Sequence, residues 1–336
     1  MKKIRIAQIG LNQHSHAKNI FHTLTKFPEI FEIAGYALVE DEKETCTAQF
    51  HYLEGYPELS LQEILDDPTI EAVAVETDEI HLLKYAQMAA EHGKHVHMEK
   101  PGSASLADFE KLVTTMKASG KVFSVGYMYR FNPYIQELFA RIKRGELGDI
   151  YSIEADMSRF DGTVLRSWLG QHPGGMMFYL GCHLIDLVVQ ILGIPQNILP
   201  LNRSSGRDGL TSEDMGLAVL EYPHAFATVK TTDVEMGGFW RRKLTVCGTN
   251  GTVELCPLEI CVPDSQWLVS TVKTEYTGQR LHDNGLRTET PTFDRYETMM
   301  QTFASYVRGE RENPYTYDYE LTLFRIILQC CGVKEA

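Results

Sequence analysis

The segment from His95 to Pro101 constrains the fold most strongly, because it closes a strand–helix–strand pattern. Residues 71–75 form a short apolar run rich in β-branched side chains, which predicts a buried strand. Residues 80–92 carry apolar side chains at helical spacing, and residues 94–98 predict the next strand. Lys100 therefore follows the carboxyl end of a parallel strand, where open α/β sheets bind their ligands.

Lys100 is the candidate functional group of this segment. Pro101 disfavours the helical region for the residue before it, so we expect Lys100 to be held extended at the strand tip. Glu99 places a carboxylate directly beside the lysine. A lone lysine in a loop is more often a solvated charge, and this segment alone leaves that alternative open.

Length and charge limit the classes of protein to consider. A chain of 336 residues is long enough for two domains, and its 45 acidic against 32 basic side chains argue against a nucleic-acid partner. The most apolar run, residues 184–194, is too short to span a bilayer, so we expect no membrane partner. The seven cysteines lack metal-ligand spacing and the amino terminus lacks a signal-peptide core. We therefore expect a cytoplasmic protein with reduced thiols.

The amino terminus has the strand–turn–helix pattern with which dinucleotide-binding folds begin. Residues 4–9 predict a strand and residues 15–26 a helix, and the turn between them contains Gly10, Asn12 and Ser15 where the usual fingerprint is G-x-G-x-x-G. Gly10 keeps the tight turn, Asn12 tolerates left-handed backbone angles, and Ser15 is small enough to cap the helix whose amides bind a phosphate. A strand–turn–helix without a nucleotide would show the same residues.

The second strand, predicted over residues 31–39, bears on the choice of cofactor. An NAD site needs a carboxylate near the end of this strand to hold the ribose hydroxyls. Glu40 and Asp41 lie just beyond it, and the sequence leaves open whether one of these acids or neither reaches the ribose. The sequence leaves NAD and NADP open, and we favour NAD.

The second half of the chain has a different pattern. Between residues 197 and 276 the strand-like runs are close together, the last being residues 267–276, and Asn250-Gly251 is a hairpin signal between two of them. Short connections between strands imply an antiparallel sheet. The fold class predicted is thus an α/β Rossmann domain over residues 1–124, followed over residues 125–336 by an α+β domain with a largely antiparallel sheet, for substrate binding and oligomerisation.

A second constellation lies in this half. Helical spacing begins near Met176, and Tyr179, His183 and Asp186 follow at intervals of four and three residues, which places them on one helical face. The rest of this helix is apolar enough to be buried, so the three polar side chains need polar partners, such as a substrate hydroxyl. A histidine satisfied within the core is the alternative.

Three segments resemble the glucose–fructose oxidoreductase / inositol dehydrogenase (Gfo/Idh/MocA) family. Residues 93–101 (GKHVHMEKP) are similar to its GKHVxxEKP signature, and residues 126–133 (GYMYRFNP) to its vGymyRfnP segment. Residues 174–186 resemble its GGG-x-x-x-D-x-G-x-H-x-x-D motif, with Tyr179 where the family most often has Asp. The resemblance implies an NAD(P)-dependent oxidoreductase that acts on a sugar, polyol or related cyclic alcohol, commonly as a homodimer or homotetramer.

The resemblance, carried over by position, also implies roles for individual residues. The catalytic set is Lys100, His183 and Tyr179. The residues that we assign to the cofactor are Gly10, Asn12, Gln13, Ser15, Glu40, Thr77, Glu99 and Lys100. The residues that we assign to the substrate are Tyr127, Arg130, Asn132, Tyr179 and Asp186.

Two departures from the family pattern keep other functions open. The altered glycine loop and Tyr179 suggest a non-catalytic sugar or nucleotide sensor, although a pure binder does not need both Lys100 and His183. A glycoside-cleaving enzyme that uses transient oxidation by bound NAD is another function that the resemblance allows. The histidine pairs His14/His16 and His95/His97 lack a carboxylate or thiol at ligand spacing, so we predict no metal site.

Overall fold

The computed structural model describes residues 2–263, 265, 267–278 and 284–334. Contacts within the chain define two compact units. The first unit comprises residues up to Tyr127 together with Tyr296–Phe324, and the second comprises Met128–Arg295 with the residues from Arg325 onward. Among the described residues, no helix is both long and apolar enough to cross a membrane.

The carboxy-terminal segment differs from the division drawn from the sequence, which assigned everything beyond residue 124 to the second domain. Tyr296–Phe324 clusters with the first unit. Phe324 stacks on Phe109 with ring centroids 4.2 Å apart, and Asn19 donates a hydrogen bond of 3.0 Å to the Tyr296 hydroxyl. The first core is therefore completed by residues from the far end of the chain.

The first unit contains a parallel sheet with the strand order β2-β1-β3-β4-β5. Its strands are β1 (Ile4–Ile9), β2 (Phe31–Ala37), β3 (Ala72–Val75), β4 (His95–Met98) and β5 (Phe123–Val125). Its helices are α1 (Ala17–Lys26), α2 (Glu42–Thr45), α3 (Leu61–Asp66), α4 (Leu82–Glu91) and α5 (Leu106–Ser119). The strand order reverses between β1 and β3, and a doubly wound sheet binds its ligand beyond the carboxyl ends of the strands at such a point.

Local signals in the sequence explain several helix boundaries of this unit. Ser60 and Glu63 form a reciprocal capping box at the start of α3. Ser105 accepts a hydrogen bond from the backbone of Asp108 at the start of α5, and Gly120 ends that helix with a φ of +63°. These caps satisfy backbone groups that a helix end leaves without a partner.

The second unit contains a larger sheet with the order β15-β14-β11-β10-β6-β9-β8-β7 and a small sheet with the order β12-β13-β16. The strands are β6 (Ile150–Asp156), β7 (Asn197–Arg203), β8 (Met215–Glu221), β9 (Phe226–Thr232), β10 (Lys243–Gly248), β11 (Gly251–Leu255), β12 (Ile260–Cys261), β13 (Leu268–Ser270), β14 (Val272–Tyr276), β15 (Leu286–Glu289) and β16 (Phe293–Asp294). The helices from here to the end of the chain are α6 (Pro133–Lys143), α7 (Thr163–Trp168), α8 (Cys182–Leu192), α9 (Glu297–Val307) and α10 (Tyr317–Cys330). Apart from the parallel β6–β9 pair, the neighbours in these two sheets that the structure describes are antiparallel. The predicted fold class is confirmed.

Two details of the second unit differ from the sequence prediction. The run 267–276 forms two strands in different sheets, divided at Thr271, whose hydroxyl donates a hydrogen bond to the Leu258 carbonyl. The hairpin between β10 and β11 pairs Gly248 with Gly251, so its turn residues are Thr249 and Asn250. The loop before β6 sets this register, because the backbone of Asp149 bonds both the backbone and the hydroxyl of Thr249.

Candidate active site

Gly10 follows β1, and only glycine fits its position. Its φ is +96°, and a Cβ atom there would lie 2.6 Å from the backbone nitrogen of Thr77. The Asn12 backbone donates a hydrogen bond of 3.2 Å to the Glu76 carbonyl, and its side chain accepts one of 2.7 Å from the His14 backbone. Asn12 therefore stabilises the loop itself in place of the second glycine of the fingerprint.

Ser15 has a different local role from the predicted one. Its hydroxyl lies 2.9 Å from the Glu76 carbonyl and 3.0 Å from the Asn12 carbonyl, and it accepts a hydrogen bond of 3.1 Å from the Ala17 backbone. The residue at the N-cap position of α1 is His16. Ser15 thus ties the loop to the end of β3, and Gln13 is exposed at the tip of the loop.

Glu40 lies beyond the end of β2, with a φ of +52°. It accepts hydrogen bonds of 2.6 Å from the Lys84 ammonium and 2.7 Å from the Tyr85 hydroxyl. These bonds lower the pKa of the Glu40 carboxyl and keep it ionised. An ionised carboxylate therefore lies beyond the end of β2, and it already has two donors.

Glu42 is a buried carboxyl that sequence reasoning missed. It accepts hydrogen bonds of 3.0 Å from the Val39 backbone and 2.8 Å from the Thr77 hydroxyl. The Thr77 hydroxyl therefore points towards the buried Glu42 carboxyl. Burial raises the pKa of this carboxyl to about 7 against these hydrogen bonds. Glu42 belongs to the acidic run of residues 40–44, in which no signal distinguishes the buried acid from its exposed neighbours.

Glu99 and Lys100 form a buried pair at the carboxyl end of β4. Their side chains are each 2% exposed, and the lysine ammonium lies 3.6 Å from Oε1 of Glu99. The other carboxyl oxygen, Oε2, lies 2.9 Å from Nδ1 of His16. Burial acts to raise the pKa of Glu99, but His16 and Lys100 outweigh it and lower that pKa to about 2. The ionised carboxylate thus holds the lysine at the sheet edge.

Sequence reasoning also missed His16, Glu76 and Glu79 as members of this cluster. The two histidines near the first helix were considered only as a metal pair. Glu76 and Glu79 follow β3 and are fully buried. Since acidic residues in a connection are ordinarily solvated, a single sequence offers no signal for their burial.

In the second unit, Tyr179 and His183 lie on two kinds of helix. Met177–Gly181 forms a π-helical turn, and α8 begins at the next residue. The wider turn rotates Tyr179 relative to the position it would have in a continuous α-helix, so the one-face arrangement of the three residues remains a prediction. The His183 and Asp186 pair retains α-helical spacing. Turns of this kind are frequent at functional sites, but the sequence contains no mark of this one.

The two aromatic side chains have different neighbours. Tyr179 meets Trp168 edge to face, with ring centroids 5.2 Å apart. His183 meets Tyr129 in the same manner, also at 5.2 Å. The Tyr129 hydroxyl donates a hydrogen bond of 2.6 Å to Glu259, and burial together with that carboxylate raises its pKa well above the ordinary value. His183 therefore rests on a tyrosine that a buried carboxylate holds in place.

The structure brings Arg130 and Asp186 together in a two-point ion pair. Nε and Nη2 of Arg130 lie 2.9 Å from Oδ2 and Oδ1 of Asp186, respectively, and both side chains are buried. Asn132 accepts two backbone hydrogen bonds at the start of α6 and donates one of 2.7 Å to Thr271. These contacts favour positioning roles for the three residues over direct contact with substrate. Tyr127 is the last residue of the amino-terminal segment of the first unit, and it is buried.

Comparisons with known proteins agree with this fold. A model of the oxidoreductase family with an NAD-binding Rossmann fold matches residues 4–127, and a model of the GFO/IDH/MocA C-terminal domain matches residues 135–254. The aldose–aldose oxidoreductase of Caulobacter crescentus superposes with a TM-score of 0.78 at 20% identity, covering 99% of this chain and 98% of that chain. This last likeness shows the fold alone.

Curated relatives extend the comparison. The NADP(+)-dependent scyllo-inositol 2-dehydrogenase IolW of Bacillus subtilis is 25% identical over 66% of this chain and 61% of that protein. An NAD(+)-dependent scyllo-inositol 2-dehydrogenase of the same organism is 30% identical over 39% of this chain and 38% of that protein. The chain spans about half the length of other curated relatives that it matches, with 46% and 49% of two oxidoreductases of Escherichia coli covered.

The fold and the matched domains define a member of the oxidoreductase family with an NAD-binding Rossmann fold. More closely, the chain belongs to the Gfo/Idh/MocA family, which confirms the resemblance seen in the sequence.

Proposed function

We propose that this oxidoreductase transfers a hydride between the nicotinamide of NAD(P) and a hydroxyl-bearing carbon of a sugar, polyol or related cyclic alcohol. The observation that carries the proposal is Lys100, a lysine 2% exposed and paired with an ionised carboxylate beyond the end of a Rossmann strand. Burying such a charge is costly, so its retention at a ligand-binding edge favours a chemical role. The two inositol dehydrogenases among the relatives support the substrate class.

The cofactor, when bound, accepts or returns the hydride. Lys100 donates a hydrogen bond to the substrate oxygen and stabilises the negative charge that develops there. His183 removes or returns the hydroxyl proton, a task suited to a side chain that titrates near neutral pH. Tyr179 orients the substrate, with Trp168 packed against its ring.

NAD is the nucleotide that we propose. The ionised Glu40 offers an acceptor for a ribose hydroxyl and repels a 2′-phosphate. Lys84 competes for the Glu40 carboxylate, because its ammonium already donates a hydrogen bond to it. A Lys84 side chain released from Glu40 would offer a cation to the 2′-phosphate of NADP. The preference is therefore tested by measuring the affinity for both nucleotides.

A thermal-shift titration of the purified protein with NAD, NADH, NADP and NADPH tests the cofactor. Ligand at a hundredfold excess over its dissociation constant stabilises the folded state by about 2.7 kcal/mol, which is readily detected. A sugar and polyol screen, followed by nicotinamide absorbance, then tests the reaction. Protein free of bound nucleotide that responds to none of the four would contradict the proposal and favour a non-catalytic sensor.

The sheet of the second unit supports a homodimer or homotetramer as the assembly. Leu199 and Leu201 of β7 are each 48% exposed, and Phe226 of β9 is 50% exposed. The pairing of β7 with β8 and of β8 with β9 places all three on one face of the sheet. We propose that a second copy of the chain covers this apolar face.

A further inference from the structure

His16 connects the loop after β1 with the Glu99–Lys100 pair at the end of β4. Its Nδ1 atom lies 2.9 Å from Oε2 of Glu99, and Oε1 of the same carboxyl lies 3.6 Å from the Lys100 ammonium. Glu99 therefore meets a different partner with each of its oxygens. The three side chains form one continuous series of polar contacts within the first unit, although His16 and Glu99 are 83 residues apart in sequence.

This geometry decides which ring nitrogen of His16 carries a hydrogen. Burial acts to raise the pKa of the Glu99 carboxyl, but His16 and Lys100 lower it to about 2, so the carboxyl is ionised. An ionised carboxylate can only accept hydrogen bonds. Nδ1 of His16 therefore carries a hydrogen and donates it to Oε2, in a contact that the charge strengthens. With Oε2 held in this way, Oε1 is the oxygen that faces the lysine.

Neighbours in the first unit fix the orientation of the imidazole. The buried Tyr296 packs against it, with ring centroids 5.3 Å apart. Asn19, one turn further along α1, donates a hydrogen bond of 3.0 Å to the Tyr296 hydroxyl. Functional side chains need supporting residues whose own rotamers are locked by packing and hydrogen bonds. The His16 ring meets this condition, so it can hold Glu99 in one place.

The backbone of His16 belongs to the loop where a dinucleotide fold binds phosphate. His16 is the N-cap residue of α1, and its carbonyl accepts hydrogen bonds of 2.8 Å from the Asn19 backbone and 2.9 Å from the Ile20 backbone. The amides at this end of the first helix are the ones that receive a pyrophosphate in such folds. The same residue therefore contributes its backbone to the nucleotide loop and its side chain to the carboxylate beside Lys100.

We propose that His16 is a positioning residue that sets the place of the Lys100 ammonium through Glu99, and that it thereby links the nucleotide loop to the lysine. This inference rests on the proposed function, in which Lys100 donates a hydrogen bond to the substrate oxygen. Without the Nδ1 donor, the Glu99 carboxylate can turn away from the lysine. A displacement of a catalytic group by about 1 Å can lower the rate about 100-fold.

The first test compares His16→Ala with His16→Asn. The amide nitrogen of asparagine takes the place of Nδ1 and can donate to Oε2, and asparagine is favourable at an N-cap. We expect His16→Ala to lower kcat about 100-fold and His16→Asn to restore most of this loss. The dissociation constant of the nucleotide selected by thermal shift should stay close to the wild-type value in both. The exposed His51→Ala is the matched control and should keep wild-type kcat.

The split between kcat and nucleotide affinity separates positioning from a merely structural role, which asparagine would not rescue. If His16→Ala does not fold, His16→Phe replaces it, because phenylalanine keeps a ring against Tyr296 and lacks the donor. Wild-type kcat in the variant without a donor would overturn the proposal. A folded His16→Asn that is as slow as that variant would overturn it as well.

A second test does not depend on turnover. Nuclear magnetic resonance of protein labelled with ¹⁵N-histidine, recorded at about pH 8, where a solvated imidazole is neutral, should show a protonated Nδ1. The signal should be missing from His16→Asn, which assigns it to His16. A His16 ring with no hydrogen on Nδ1 would overturn the inference even in an active enzyme. A protonated Nδ1 in a protein that turns over no alcohol would instead contradict the proposed function.

Discussion

Arg130 and Asp186 are 56 residues apart in sequence, and the fold joins them through two parallel hydrogen bonds of 2.9 Å each. Both were assigned to substrate from the sequence, but their polar atoms face each other in a buried site. Removing one partner deprives the other buried charge of its opposite charge, which typically costs about 3–5 kcal/mol. We therefore expect Arg130→Ala to lower the free energy of unfolding by about this amount, measured by urea denaturation.

A double variant separates stability from binding. Arg130→Met with Asp186→Leu removes both charges and keeps similar volumes, so it should lose much less stability than the single variant. Its KM should stay close to that of the wild type if the pair only positions the helix. A KM raised more than tenfold in a stable double variant would restore the substrate-binding assignment.

Lys100 and His183 should dominate the chemistry. Lys100→Ala and His183→Ala should each lower kcat about 100- to 10,000-fold, because one removes the donor to the developing negative charge and the other removes the acid/base. Circular dichroism checks that the variants fold. The exposed Lys111 and His224 offer matched alanine controls, which should keep wild-type turnover. Wild-type rates in both active-site variants would refute the assignment.

The order of strands and helices could be predicted because its signals are local. Gly93 and Gly120 end helices with positive φ, Ser105 caps one, and short strand-like runs of three to seven residues mark the parallel strands. Gly10 was also predictable, because a tight turn after the first strand needs a residue without a side chain. These features depend on neighbouring residues alone.

The environment of the charged side chains could not be predicted in the same way. Glu42, Glu76 and Glu79 occur in acidic connections that look solvated, and only the three-dimensional packing buries them. The π-helical turn at Tyr179 depends on how the chain packs before α8, so a helical wheel drawn at α spacing cannot contain it. Long-range pairs such as Arg130 with Asp186 leave no mark in a single sequence.

Glu42 predicts a pH dependence of stability. Its folded-state pKa, about 7, lies above the ordinary value of 4.5, so its contribution is fully present below about pH 4.5 and is lost as the pH rises through 7. The shift corresponds to about 3 kcal/mol. Between those two pH values we expect the unfolding free energy of the wild type to fall relative to that of Glu42→Gln by about this amount, because glutamine does not titrate. Glu44→Gln, an exposed neighbour, should show no such change.

Glu40 should decide the cofactor preference. If its carboxylate accepts a ribose hydroxyl, Glu40→Ala should weaken NAD binding about 10- to 100-fold, the effect of losing a hydrogen bond to a charged group. NADP binding should be unchanged or stronger, since a negative charge near the 2′-phosphate is removed. Isothermal titration calorimetry measures both affinities, with Asp41→Asn as the matched variant. A larger loss for Asp41→Asn than for Glu40→Ala would transfer the role to Asp41.

The apolar face of the second sheet should control assembly. Leu201 is 48% exposed on β7, and its cross-strand neighbour is Leu217 on β8. A glutamate at position 201 would place a charge in the proposed contact, and burying it there costs several kcal/mol. Leu201→Glu should therefore shift the protein from dimer or tetramer to monomer in analytical ultracentrifugation, while Val164→Glu, an exposed change on α7, should not. A wild-type protein that sediments as a monomer would rule out this interface, because the face would then remain exposed without a partner.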